Sequence, residues 1–98
     1  MPDYQKIEVQ HLLNFVKNSN CELNRNGTFH KGQDAVVHIN NKYDYFRDEI
    51  KTTEEFIELS ATKSTMSGKH YFVNCDGTVI QTRHWLLSEL DEFRTQRK

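Results

Sequence analysis

The chain has 98 residues, of which 36% are hydrophobic, 11% aromatic and 28% charged, a balance that predicts one small folded domain over residues 1–98 and excludes disorder. Thirteen basic against fourteen acidic side chains leave a formal net charge of −1, so no overall positive field draws it to nucleic acid or anionic lipid. Apolar runs reach only a few residues, far short of the roughly 20 a membrane helix needs, so no membrane insertion is expected. The start Met1-Pro2-Asp3-Tyr4 lacks the basic-then-apolar order of a signal peptide, and the chain as it stands is expected to be soluble.

In chain order, Val9, Leu12, Leu13 and Val16 stand at the i, i+3, i+4, i+7 spacing of an apolar helical stripe, which predicts a first helix from about Asp3 to Ser19. Asn26-Gly27 then signals a hairpin between Cys21 and His30. A two-residue turn sets Leu23 opposite His30 and turns Phe29 to the other face. A three-residue loop with Gly27 left-handed pairs Leu23 with Phe29 and keeps Cys21 on their side, and is the preferred register. Ala35, Val36, Ile39, Tyr43 and Phe46 predict a second helix from about Gln33 to Asp48.

Thr52 with Glu55 three residues on is a capping box for a short third helix, about Thr53 to Thr62, carrying Phe56, Ile57 and Leu59. Lys63 to Lys69 has neither helical nor strand period and reads as a loop. Tyr71, Val73 and Cys75 alternate before Asp76-Gly77, where a type I′ turn pairs Cys75 with Thr78 and Val73 with Ile80. Thr82 is placed to cap a last helix, about Arg83 to Gln96, with Leu86, Leu90 and Phe93 as its stripe.

The expected fold is therefore α+β: two helix-hairpin-helix halves, a degenerate internal repeat, with four helices packed on a small antiparallel sheet. One merged sheet gathers Cys21, Leu23, Phe29, Tyr71, Val73, Cys75 and Ile80 on its inner face. Two cysteines suit either buried free thiols or a single disulfide, and the residues alone leave both open. Closing the intervening segment is worth roughly 4 kcal/mol on the chain-entropy model.

Several separated pieces resemble one family. They are Leu12-Leu13-Asn14-Phe15-Val16, Cys21 with Arg25-Asn26-Gly27, and Ala35 with His38 and Lys42-Tyr43. Lys51-Thr52 with Glu55-Phe56-Ile57-Glu58, Lys63-Ser64 with Ser67-Gly68-Lys69 and Tyr71, and Asp76-Gly77 leading to Trp85-Leu86 complete the set. In this order, over nearly the whole chain, they resemble domain of unknown function 5329, small bacterial proteins that usually begin with a secretory signal. Asn20, Leu23 and His70 depart from the glycine, phenylalanine and proline common there. The resemblance implies a periplasmic or secreted protein with its signal removed before Met1, or a cytoplasmic one if Met1 is the native start. An oxidising compartment favours a Cys21–Cys75 bond.

Five histidines and two cysteines invite a metal or nucleophile reading, but no His-Glu-x-x-His, no Cys-x-x-Cys and no helical histidine pair four apart is present. Neither metal nor cofactor is expected. His38 lies beside the second helix's apolar stripe, one turn from Lys42. A boundary histidine bonded to its surroundings is the plain reading; the alternative, a hydrolase pairing His38 with a hydroxyl, requires a concave pocket.

The stretch Lys63 to Lys69 concentrates hydroxyls, Gly68 and two lysines, chemistry suited to an anion or a sugar. Gly68-Lys69 lacks the upstream glycine of a phosphate loop, and His70 stands where serine or threonine would hold magnesium. Ser67-Gly68-Lys69-His70-Tyr71 also resembles the Ser-Gly-x-x-Tyr motif of bacterial lysozyme inhibitors, in which a serine hydroxyl and a lysine engage catalytic carboxylates.

The candidate binding residues are Arg25, His38, Lys42, Ser64, Ser67, Gly68, Lys69 and Tyr71, and an exposed Phe72 would mark an interface or a covered second sheet face. The expected function is a small exported binding or interaction module without catalysis, taking a protein or a small anionic or saccharide ligand but not nucleic acid.

Overall fold

A computed structural model describes residues 2–25, 27–64 and 67–96. Its elements run α1 (Asp3–Asn18), β1 (Glu22–Arg25), β2 (Thr28–Lys31), α2 (Gly32–Tyr45), α3 (Thr53–Ser60), β3 (Phe72–Cys75), β4 (Thr78–Gln81) and α4 (Thr82–Gln96). The strands form one antiparallel sheet in the order β2-β1-β3-β4, so the fold is α+β as expected.

The apolar stripe of α1 is buried, as are Ala35 and Ile39 of α2, Phe56 and Ile57 of α3, and Leu86 and Leu90 of α4. These side chains meet Leu23 and Val73 from the inner face of the sheet in one core. α2 ends at Tyr45, three residues short of the expected Asp48. The amides of Glu49 and Ile50 both bond to the Phe46 carbonyl, and the tightened chain turns Ile50 into the core. Thr52 caps α3: its Oγ1 accepts from the Glu55 amide at 3.1 Å, and the Glu55 carboxylate reaches back to the Lys51 amide at 3.1 Å. α3 stops at Ser60 instead of Thr62, because the Thr62 hydroxyl donates back to the Ile57 carbonyl at 2.9 Å.

The second hairpin has the expected register. Asp76 and Gly77 both hold positive φ, 54° and 89°, and Cys75 faces Thr78 while Val73 faces Ile80. The first hairpin corrects the preferred register. Leu23 faces His30 and Arg25 faces Thr28, leaving two residues in the turn. Asn24 Oδ1 accepts from the Gly27 amide at 2.8 Å, as Asn74 Oδ1 does from Gly77 at 2.9 Å, so the same side-chain bond closes both turns. Phe29 is consequently not on the inner face; it points outward and is 54% exposed. Ile80 does lie on the inner side, but on the edge strand β4 it stays 36% exposed.

At the centre, β1 and β3 pair Glu22 with Asn74, Leu23 with Val73 and Asn24 with Phe72. One step beyond, Cys21 stands opposite Cys75, and the two form a disulfide with Cα atoms 4.5 Å apart, the spacing of a close cross-strand pair. Of the two open readings, the bond is the one found.

Each strand of the outer pair runs directly into a helix. Gly32 opens α2 where a Cβ would stand 2.2 Å from the Val16 carbonyl oxygen, so only glycine lets α2 start against the end of α1. Thr82 is not a cap: it is the first residue of α4, and its buried hydroxyl has no hydrogen-bond partner among the described residues. Elements of the two halves begin at matched places: Asp3 and Thr53, Glu22 and Phe72, Thr28 and Thr78, Gly32 and Thr82. The halves differ where α1 continues to Asn18 but α3 stops at Ser60, leaving a loop in place of the last two turns.

A polar group, buried at Glu8 and Thr53 and open at Arg94 and Glu54, closes the far end of the helices. Arg94 pairs with Glu8 at 2.7 Å and Glu54 at 2.8 Å, and the Thr53 hydroxyl donates to Glu8 at 2.7 Å. The Arg94 guanidinium holds both carboxyls below the usual carboxylate range.

Candidate functional site

The β1–β3 ladder also continues past its other end. One step beyond Asn24 and Phe72, Arg25 stands opposite Tyr71, on the same inner face as Leu23 and Val73. The Leu23–Val73 pair is the midpoint of this ladder, so Arg25 and Tyr71 occupy the place that the disulfide occupies at the opposite end. Where α3 has stopped early, α2 brings His38 and Lys42, one turn apart, over Tyr71.

Tyr71 is only 5% exposed. Its amide donates to the Thr62 carbonyl at 2.9 Å and its carbonyl accepts from the Thr82 amide at 2.9 Å. The hydroxyl lies 3.1 Å from His38 Nε2 and 3.5 Å from Lys42 Nζ. An ammonium can only donate, so the Tyr71 oxygen accepts from Lys42. Lys42 Nζ also donates to the Lys63 carbonyl at 2.7 Å and lies 5.3 Å from the Tyr71 ring centroid.

The electrostatics run one way. Burial pushes the His38 imidazole down to about 4, assisted by the positive charges of Arg25 and Lys42 and by His30. Burial, then repulsion from Arg25, lowers Lys42 below the usual ammonium range. Burial raises the Tyr71 phenol, against the opposing pull of Arg25. No carboxylate contributes to any of these shifts, and Arg25 makes no ion pair among the described residues. A cavity of about 20 Å³, room for one water molecule, lies between Arg25, His30, His38 and Tyr71 with Ala35 and Ile39 behind.

The remaining candidates sit on the loop. An isolated bridge joins Lys63 to His70, the Ser64 amide donates to the Lys69 carbonyl, and the Gly68 amide donates to the Ser64 carbonyl. Ser64 is buried, and its Oγ accepts from the Ser67 amide at 3.3 Å, so it braces the loop. Thr65 and Met66 lie outside the described residues. Ser67, Gly68 and Lys69 are exposed, and Gly68 holds φ at +72°, which favours glycine. The predicted set is thus divided: Arg25, His38, Lys42 and Tyr71 meet on the inner face, Ser64 is structural, and Ser67 to Lys69 form a separate rim.

The family model described as a family of unknown function, DUF5329, matches residues 3–94. The chain belongs to this family. An uncharacterized protein, YfeK, of Salmonella typhimurium (strain LT2) is 30% identical over 69 residues, covering 69% of this chain. The matched stretch spans 58% of that relative's length. No solved structure matches.

In this DUF5329 chain, reasoning from the sequence missed His30 and the Lys63 carbonyl. His30 faces inward only in the two-residue register, and its buried Nε2 has no hydrogen-bond partner among the described residues. The Asn26-Gly27 dipeptide was the available signal for that register. A backbone carbonyl such as that of Lys63 has no signal in side-chain pattern at all. Among the described residues, no group of three or more His, Cys, Asp or Glu is placed to hold a metal ion, and no helix is long and apolar enough to cross a membrane.

Proposed function

We propose that this protein is an exported binding module, not a catalyst, and that it takes an anionic group at Arg25, His38, Lys42 and Tyr71. The observation that carries this reading is the half-buried Lys42 ammonium beside Arg25, with no carboxylate to offset either charge. Two like charges held together in a partly desolvated place repel, and an anion seated between them removes that repulsion. Tyr71 and His38, bonded to each other, form a fixed polar floor behind the cations.

The hydrolase alternative has its histidine–hydroxyl contact, but Tyr71 is held protonated and His38 is a poor base at about 4. Export is supported by the Cys21–Cys75 bond, since disulfides persist in oxidising compartments.

Titration of the whole chain with inorganic phosphate, followed by heteronuclear NMR, tests the reading. Saturable shifts at Arg25, His38 and Tyr71, abolished in Lys42→Gln with an unchanged melting temperature, are expected. Unsaturable shifts spread over the surface lysines would falsify it.

A further inference from the structure

The outer face of the sheet is not used by the reading above. β3 turns Tyr71 and Val73 inward and Phe72 outward, and the register lines up Phe29, Asn24, Phe72 and Gln81 in one row from edge to edge. Phe72 is 38% exposed there, an aromatic ring in open view in a sheet whose other face carries the core. The loop delivers Lys69 and His70 to the same place. Together with Asn24, Phe72 and Gln81 they bound a depression of about 370 Å³.

Its chemistry is selective. The lining carries an ammonium, an imidazole, two carboxamides and one aromatic face, with no carboxylate. Asn24 Oδ1 is taken by the Gly27 amide, which leaves its NH₂ to donate. Glu22 shares the outer face but sits in the next row, opposite Asn74 and outside the lining. A complementary ligand has a flat apolar side for the ring, hydroxyls for the carboxamides and an acid group for Lys69 and His70.

We propose that the depression formed by Asn24, Lys69, His70, Phe72 and Gln81 binds an acidic sugar, with a hexuronate ring on Phe72 and its carboxylate on Lys69 and His70. This site lies on the opposite face of the sheet from the Tyr71 cluster, so either reading can fail alone.

The test is a heteronuclear NMR titration of the whole chain with trigalacturonate, with maltotriose and hexaglutamate in parallel. Saturable shifts at Asn24, His70, Phe72 and Gln81 are expected with trigalacturonate. Maltotriose should bind about tenfold more weakly, the loss of one charge-assisted hydrogen bond. Phe72→Ala and Lys69→Ala, both at exposed positions, should each weaken trigalacturonate by about tenfold with an unchanged melting temperature. Equal binding of maltotriose, or hexaglutamate binding that survives Phe72→Ala at full strength, overturns the proposal. Shifts confined to His38 and Tyr71 assign the sugar acid to the inner cluster and overturn it equally, as does the absence of any shift.

Discussion

His38 is neutral in the folded chain at pH values where an exposed imidazole is already protonated, because burial and the charges of Arg25 and Lys42 bring it down to about 4. As pH falls from about 6.5 towards 4, the unfolded chain gains a proton that the folded one refuses, so stability falls over that window. Glu8 and Glu54 act lower on the scale. Arg94 depresses both below 4.5, so their contribution is present above that value and is lost below it. The melting temperature should therefore decline between pH 6.5 and 5 in the natural chain and stay nearly level there in His38→Phe, both falling below pH 4.5. An equal slope in the two proteins across the upper window would show that His38 is not the group responsible. At this scale the sequence was informative about His38 and Lys42, one helical turn apart beside an apolar stripe. It was silent on the absence of a carboxylate around them, since which charges share a neighbourhood depends on the register of strands far apart in the chain.

The junction of β2 and α2 shows what a single element demands. With no loop between them, α2 has to begin against the C-terminal turn of α1, and the space there excludes even a methyl group. Gly32→Ala should lower stability by about 2–3 kcal/mol, the upper range for overpacking against backbone, as read from urea denaturation. A loss below about 0.5 kcal/mol, the level of an ordinary surface change, would mean that α2 can shift away from Val16 at little cost. The helices were legible because their apolar stripes are long enough to average out local exceptions: Val9 to Val16, and Leu86 with Leu90, are buried as their spacing requires. The first hairpin was not, although its turn dipeptide was correctly located. Burying Phe29 beside Leu23 appeared more favourable than facing Leu23 with His30. In four-residue strands that gain is outweighed by the turn, where Asn24 closes a two-residue connection. A shift of one residue then exchanged Phe29 for His30 on the inner face, and with it part of the site.

For the molecule as a whole, the disulfide is the largest single constraint. It joins positions 54 residues apart and ties the two halves at their shared ladder. Replacing both cysteines by serine should lower the unfolding free energy by about 4 kcal/mol, and adding reductant to the natural chain should give the same loss. Identical denaturation curves with and without reductant would contradict this. The doubled order of elements was legible from the two turn glycines, and the α+β class from stripe and alternation together. The early stop of α3 was legible as well, from the loss of helical period over Lys63 to Lys69; only its last two residues were misplaced, where the Thr62 hydroxyl bonds back to the Ile57 carbonyl.

That early stop makes the two ends of the central ribbon unlike. At one end a covalent clamp holds the strands until a reductant opens it; at the other, a tyrosine and an arginine stand in equivalent places beneath a gap. A covalent cross-link and a positive charge without a carboxylate partner thereby stand at opposite poles of one pair of strands.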